Sequence, residues 1–379
     1  LENINKWIEN KEKDLHLKVG LNFLNQYAIS IICEIFNKEN IFGSSKALTI
    51  DEIIQNKGYN IATSKRPLEL MCNWLCSKNI LEKVIDENQG TRYMITQTIP
   101  SPDLLQLEKS VVGKTMPGAT QLLKLPLKHA NEIFLGEMSQ EGLYAQQSVS
   151  LWQSYFSHPG MSIPSEIVAE FIYDKIKDRT EPVTIMEVGA GSANGTRALY
   201  ELLASKDKLN LVKKFIISDF STDFIENCEK NIKDSYGEQD IFEFKLFDLN
   251  ISPTDQGLEQ ASVDFILGVN CLHYIKDWSK QFQEIHSILK WDGWLLSAGY
   301  FRNILEKPFH IELHGSFFEE YHDVILNEKY RPEFGIMTPE IFQSALIESG
   351  YCEIEIWPPR VSWENFDFYC GVVAGKKIR

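Results

Sequence analysis

The apolar positions change their period near residue 180. Before that point they recur at helical spacing: Ala28, Ile31, Ile32, Ile35 and Phe36 share one face, and Leu68, Met71, Cys72 and Leu75 share another. Between these runs, Thr49-Ile50-Asp51-Glu52 reads as a capping box that opens a short helix. Residues 80–84 and 92–95 then alternate on either side of Glu87-Asn88-Gln89-Gly90, a hairpin turn signal. Helix, helix, helix, hairpin is the order of a winged helix, so residues 1–100 are expected to form a mainly helical, winged-helix-like domain. Residues 101–180 are helical and aromatic (Phe134, Tyr144, Trp152, Tyr155, Phe156), with Pro/Gly breaks at 117–118 and 159–160, and read as a connector lining an acceptor pocket.

From Val183 the text alternates strand and helix. VTIMEVGA precedes a helix from Thr196, KFIISDF a helix from Thr222, and VDFILGVN a helix from Ser279; FEFKLFDL and WLLSAGY are further strands. Such alternation predicts an α/β domain over 181–379 with a parallel sheet covered on both faces. Residues 301–337 interrupt it as a long insertion. The tail, YCEIEIW and FDFYCGVVAG, is expected to add a terminal strand pair.

Composition changes this picture at two points. The net charge is -15, yet residues 1–100 hold twelve basic and twelve acidic residues, so the whole imbalance lies in the remainder. An acidic surface repels a polyanion, and no nucleic-acid partner is expected on that ground. The seven cysteines are scattered without a CxxC pair and read as reduced thiols of a cytoplasmic protein. No apolar run of bilayer length stands out, so no membrane partner is expected. The chain starts at Leu1 and is taken as a possible piece of a longer polypeptide or one half of a homodimer.

The chemistry concentrates after the first α/β strand, in Glu187-Val188-Gly189-Ala190-Gly191-Ser192-Ala193-Asn194-Gly195-Thr196. Glycines at a strand-to-helix turn admit a ligand close to the backbone, and the helix N-terminus favours an anionic group. The dinucleotide fingerprint would need Gly at 194, where Asn stands. Asp219 ends the second strand, where a carboxylate can take both ribose hydroxyls. Asp248 ends the third, where it can accept from an adenine amino group, and the fourth runs into Asn270-Cys271-Leu272-His273.

With EVGAGSANGT, DFST, FKLFDL, QGLEQASVDFILGVNCLH and ILKWDGWLL in place, residues 183–300 resemble class I S-adenosylmethionine (SAM)-dependent methyltransferases. Within that class they are similar to the C-methyltransferase domains of polyketide synthases and their free-standing relatives. The resemblance implies a Rossmann-like class I methyltransferase sheet and SAM as cofactor. It implies cofactor contacts from Glu187, Gly189, Ala190, Gly191, Asp219, Phe220, Asp248, Leu249 and Asn270, with the methionine carboxylate of SAM at the helix N-terminus. His273 is the expected catalytic base, a residue type that titrates near neutrality. In the family the matching histidine pairs with a glutamate at the end of strand five; here that position is Gly299, which weakens carbon methylation and keeps O- and N-methylation open.

In the insertion, His310 and His314 stand four residues apart beside Glu312, in a run of aromatics. With Tyr155 and Tyr321 they are expected to line the acceptor pocket as a polar lid, and no metal is assigned to them. The function expected is methyl transfer by in-line displacement to O, N or C of a small molecule, a peptide or a carrier-bound natural-product intermediate. The alternative is a winged-helix nucleic-acid-binding regulator or nucleic-acid methyltransferase, whose sole support is the N-terminal pattern.

Overall fold

The computed structural model describes residues 17–86, 90–139, 142, 151, 154–155, 161–363 and 366–379. The expected turn at 87–89, and Tyr144, Trp152, Phe156 and the break at 159–160, lie outside the described residues. The chain divides into two compact units.

The sheet unit comprises Ser162–Asn303 and Asp323–Arg379. After helix α6 (Ile163–Ile176) come β4 (Val183–Val188), α7 (Asn194–Ser205), β5 (Val212–Asp219), α8 (Thr222–Tyr236), β6 (Phe242–Leu246) and β7 (Val263–Val269). They are followed by α9 (Trp278–Ile288), β8 (Leu289–Arg302), α12 (Pro339–Glu348), β9 (Cys352–Trp357) and β10 (Phe368–Lys376). The strand order is β6-β5-β4-β7-β8-β10-β9. Pairings from β6 through β8 are parallel, while β10 runs antiparallel between β8 and β9.

The central strands are apolar on both sides because helices cover both faces. Ile185, Met186, Phe265, Ile266, Leu295 and Leu296 are at most 1% exposed. Helix α6 packs on α7, β7, β8 and β10, whereas α9 and α12 pack on each other and on β8 to β10. Local chemistry sets the helix starts: Ser221, Asp277 and Thr338 each accept from an N–H in the first turn of α8, α9 and α12. The order places the reversal of winding between β4 and β7, and the carboxyl ends of those strands are where such sheets open a crevice.

The helical unit comprises the described residues up to Met161 together with Ile304–His322. It holds α1 (Leu17–Lys38), β1 (Ala47–Thr49), α2 (Ile50–Lys57), α3 (Ile61–Ser77), β2 (Leu81–Asp86), β3 (Gly90–Ile95), α4 (Leu104–Lys109) and α5 (Pro117–Phe134). Short α10 (Ile311–Gly315) and α11 (Glu319–His322) complete it. The capping box forms as expected: Glu52 N–H donates to Thr49 Oγ1 at 3.1 Å and Thr49 N–H to Glu52 Oε2 at 2.7 Å. Strands β1, β3 and β2 form an antiparallel sheet, so the winged-helix order gains a first strand at Ala47–Thr49. Within α1, Val19–Lys38 is long and apolar enough to cross a bilayer, yet 67% of it is buried within the protein, as in a core helix.

The boundaries differ from the expected 1–100, 101–180 and 181–379. Among the described residues, α4 and α5 fall in the compact unit of the winged-helix elements, and α6 falls in that of the sheet. The insertion is split, because Phe309, Leu313, Phe317, Phe318 and Tyr321 are buried in the helical unit. Phe317 stacks on Phe134 with ring centroids 5.8 Å apart.

Candidate active site

The loop from Gly189 to Gly195 turns β4 into α7, and each glycine has a separate reason. Gly189 (φ 57°) and Gly191 (φ 52°) lie in the left-handed region. A Cβ on Gly189 would stand 2.8 Å from Cys271 Cβ, one on Gly195 2.7 Å from Leu267 Cδ1, and one on Gly191 would meet nothing within 4 Å. The space above Gly191 is therefore open while its backbone still demands glycine. Ala190 is buried beneath, its N–H donating to Ser218 O at 2.9 Å.

Glu187 is 1% exposed and accepts from Gly195 N–H at 3.0 Å and Thr196 N–H at 2.7 Å. This corrects the expectation that a cofactor carboxylate sits on those donors: the chain supplies the anion at the α7 N-terminus itself. Burial pushes the Glu187 carboxyl up to about 6; the donors from Thr196 and Gly195 oppose that, and the Asp219 charge adds to it.

Asp219, 4% exposed, accepts from Gly191 N–H at 2.9 Å and from Ser221 N–H at 3.1 Å. Burial raises its carboxyl above the usual aspartate range, and backbone donors from Gly191, Ser221 and Phe220 work against the rise. Phe220 beside it is 69% exposed. Asp248, half-buried, accepts from Asn250 N–H at 2.8 Å. Gln256 brackets its backbone, accepting from Asp248 N–H at 2.7 Å and donating to Asp248 O at 2.9 Å. Gln256 opens the stretch QGLEQASVDFILGVNCLH, but the sequence gives it no role. Leu249 is half-buried and would lie 4.0 Å from a Cβ on Gly189. Asn270 (φ 54°) turns its side chain to β8, its Oδ1 accepting from Tyr300 N–H at 3.0 Å.

A cavity lies against the turn after β7, lined by Asn270, Cys271, His273, Trp278, Tyr300 and Met337 among others. His273 is half-buried in the short 3-10 turn Leu272–Tyr274. Burial, then the charges of Arg331 and Arg302, pull its imidazole down to about 3. The direction departs from the expectation of a histidine titrating near neutrality: burial first, and then the two guanidiniums, disfavour its charged form. At Gly299 a Cβ would stand 2.5 Å from Asn270 Oδ1, so Asn270 fills the room a side chain there would need.

Tyr155, His310, His314 and Tyr321 come together in the helical unit, none more than 2% exposed. Tyr155 Oη and His310 Nε2 are 2.8 Å apart, and His310 N–H donates to Asn25 Oδ1 at 2.9 Å. Glu312 accepts from Phe309 N–H and from Tyr321 Oη, both at 2.7 Å. Glu312 thus ties the backbone before α10 to that helix and anchors Tyr321. These residues serve as the packed interior of that unit and not as a solvent-facing polar lid. Among the described residues no three His, Cys, Asp or Glu side chains gather as metal ligands.

Residues 186–295 match the family model described as a methyltransferase domain. Among curated proteins, the trichosetin synthetase PKS-NRPS1 of Gibberella fujikuroi is 29% identical over 137 residues, 36% of this chain and 3% of that protein. The highly reducing polyketide synthase PKS2 of Leptosphaeria maculans is 29% identical over 196 residues, 51% of this chain and 7% of that protein. The chain thus spans a small fraction of the multidomain relatives it matches. Among solved structures, the CurJ carbon methyltransferase has a TM-score of 0.78 at 15% identity, covering 98% of this chain and 99% of its own. The citrinin polyketide synthase CMeT domain has 0.75 at 14%, covering 100% and 96%. At such identities the shared property is the fold.

Motif, sheet order and the match over residues 186–295 give this chain a methyltransferase domain similar to those of class I SAM-dependent methyltransferases, whose cofactor is SAM. Within that class the chain is similar to the carbon-methyltransferase domains of polyketide synthases and their peptide-synthetase hybrids. The residues present fit the cofactor: the backbone is open over Gly191, and the Asp219 carboxylate keeps lone pairs beyond the two it gives to N–H donors.

Proposed function

We propose that this chain methylates an acyl intermediate tethered to a carrier protein, at a carbon or oxygen that reacts as an anion. The observation that carries this reading is the electrostatic setting of the cavity. His273 lines the cavity, and behind it lie Arg331 and Arg302, the latter paired with Glu333 at 3.0 Å. An enolate or carboxylate is favoured near that positive charge and cancels the sulfonium's charge on transfer, whereas an amine carries that charge on as an ammonium until a proton leaves. The apolar share of the lining, with Trp278, Phe301, Ile336, Met337 and Phe342, suits an acyl chain. The large synthases among the relatives support a tethered acceptor, and seven free thiols support a cytoplasmic setting.

When bound, SAM supplies an electrophilic methyl on a sulfonium. In this reading Gly189 and Gly191 admit it to the backbone, Ala190 closes the loop beneath it, Asp219 takes the ribose hydroxyls, and Phe220, Asp248 and Leu249 border the adenine. Glu187 and Asn270 act indirectly, by fixing the α7 N-terminus and the wall on β8. His273, neutral at physiological pH, orients the acceptor through its ring nitrogens. As a base of such depressed affinity it contributes little; the acceptor enters as its anion, its proton having passed to water, and alignment supplies the larger share of the acceleration, up to about 7–11 kcal/mol.

Trideuteromethyl-SAM offered with a 3-oxoacyl pantetheine thioester, a free carboxylic acid, a phenol and a primary amine tests the proposal. Mass spectrometry is expected to find the label on the thioester or carboxylate and none on the amine. Preferential labelling of the amine would overturn it.

A further inference from the structure

We propose that Arg331 is a positioning residue for the turn after β7: it holds His273 at the cavity and ties that turn to the glycine loop. The inference rests on the proposed function only in taking His273 as the acceptor-facing residue.

The turn Asn270–Lys276 is irregular, so its carbonyls lack the partners a longer helix would give them. One guanidinium meets three of them. Arg331 Nη2 donates to His273 O at 2.7 Å, and Nη1 donates to Lys276 O at 3.3 Å and also to Ile275 O. Arg331 is 0% exposed, and its guanidinium lies 4.4 Å over the Trp278 ring. Burying that charge is costly, and carbonyl dipoles with an aromatic face are the groups that offset it. Its own backbone is fixed by a bridge with Asn327, at 2.9 and 2.8 Å, and nearby Ile325 N–H donates to Lys276 O at 2.8 Å.

The other end of the turn reaches the cofactor loop. Cys271 Sγ donates to Val188 O at 3.1 Å, and Cys271 Cβ fills the place a side chain on Gly189 would take. Trp278 Nε1 donates to Leu272 O at 3.0 Å and Lys276 N–H to Asn250 Oδ1 at 2.7 Å, so the turn is held along its length. A shift at Gly189 must pass through Cys271 into a segment whose far end is pinned by Arg331. A lysine keeps the charge, but a single ammonium cannot reproduce the planar fork. Arg331 and Arg302 are charged groups near His273, and Arg302 is paired with Glu333 at 3.0 Å.

The test uses the whole chain with 13Cε1-labelled histidine, the His273 signal being assigned by its loss in His273→Gln. In the wild type that signal is expected to be constant from about pH 5 to 8 and to shift when S-adenosylhomocysteine (SAH) saturates the protein. In Arg331→Met it should titrate at a higher pH than in the wild type and lose its response to SAH. Arg331→Lys should lose the response while SAH affinity by calorimetry changes by about threefold or less, as expected for a group outside direct contact. A merely structural role would alter melting temperature and leave both histidine readouts unmoved. If either folded variant keeps the wild-type titration and SAH response, the proposal is overturned; Arg331→Lys decides if Arg331→Met does not fold. Absence of SAH binding in the wild type would instead defeat the cofactor reading, and the titration alone would still decide the role of Arg331.

Discussion

Three residues of the glycine loop share left-handed backbone for unequal reasons. Ala193 (φ 53°) bears a strain of about 1–2 kcal/mol for a residue with a side chain. Its buried methyl packs with Ala190, Ile217, Cys228 and Ile232, which returns about 0.8 kcal/mol and accounts for alanine here. Gly191→Ala adds strain without collision and should cost about 1–2 kcal/mol. Gly189→Ala adds the Cys271 collision to the same strain, so urea unfolding should rank it clearly below Gly191→Ala; the reverse order would show that Cys271 yields freely. Asp219→Ala removes the acceptor of two backbone donors as well as the proposed ribose ligand. It should lower stability by about 1–3 kcal/mol and SAM affinity by about 10-fold or more, whereas Asp219→Asn should keep most of the stability. Calorimetric titration alongside thermal melts separates the two losses.

Among elements, those with a strong period were readable and those held by distant contacts were not. Strands β4, β5, β7 and β8 follow from apolar runs ending in glycine or carboxylate, and the α2 start follows from Thr49 and Glu52. Helix α7 begins at Asn194 and not at Thr196, because Ala193 caps it in a conformation no propensity suggests. Strand β1 is too short for an alternation to register. The part of the candidate site that the sequence offers is the set of strand ends: Gly189, Gly191, Asp219, Asp248 and His273. Gln256 and Arg331 act through backbone groups far along the chain, and their identities alone carry no sign of it. Residues Ile304–His322 gave no hint of joining the first 161, since only their burial against α3 and α5 reveals it. In that segment burial pulls His310 and His314 from 6.5 to about 3. The unfolded chain therefore protonates first. Their contribution to stability is fully present above about pH 6.5 and is lost as pH falls toward 3, at about 1.4 kcal/mol per unit for each group at most. Thermal unfolding from pH 8 to 5 should show the helical unit weakening, and His310→Gln with His314→Gln should flatten that dependence; an unchanged slope would place the titration elsewhere.

For the whole molecule, the residues assigned to the cofactor lie in the sheet unit. Saturation with SAH at about 100 times its dissociation constant should add about 2.7 kcal/mol to that unit. Hydrogen exchange should report it as new protection at the ends of β4, β5 and β7. The chain path has a second effect. It leaves the sheet unit after Asn303, contributes Phe309, Leu313, Phe317 and Phe318 to the other core, and returns at Asp323. Residues 162–379 expressed alone should expose those side chains and self-associate in size-exclusion chromatography. A Gly/Ser linker in place of 304–322 should restore a discrete species, and a well-behaved fragment without that replacement would contradict the shared core.

That interleaving bears on how such a chain can be recombined with a relative. A cut at residue 161 looks like a natural seam on a linear map, yet a transplanted front half would meet a foreign plug. Hybrids are viable only when the two stretches are inherited as a matched set, so the recombination junctions tolerated here must flank both.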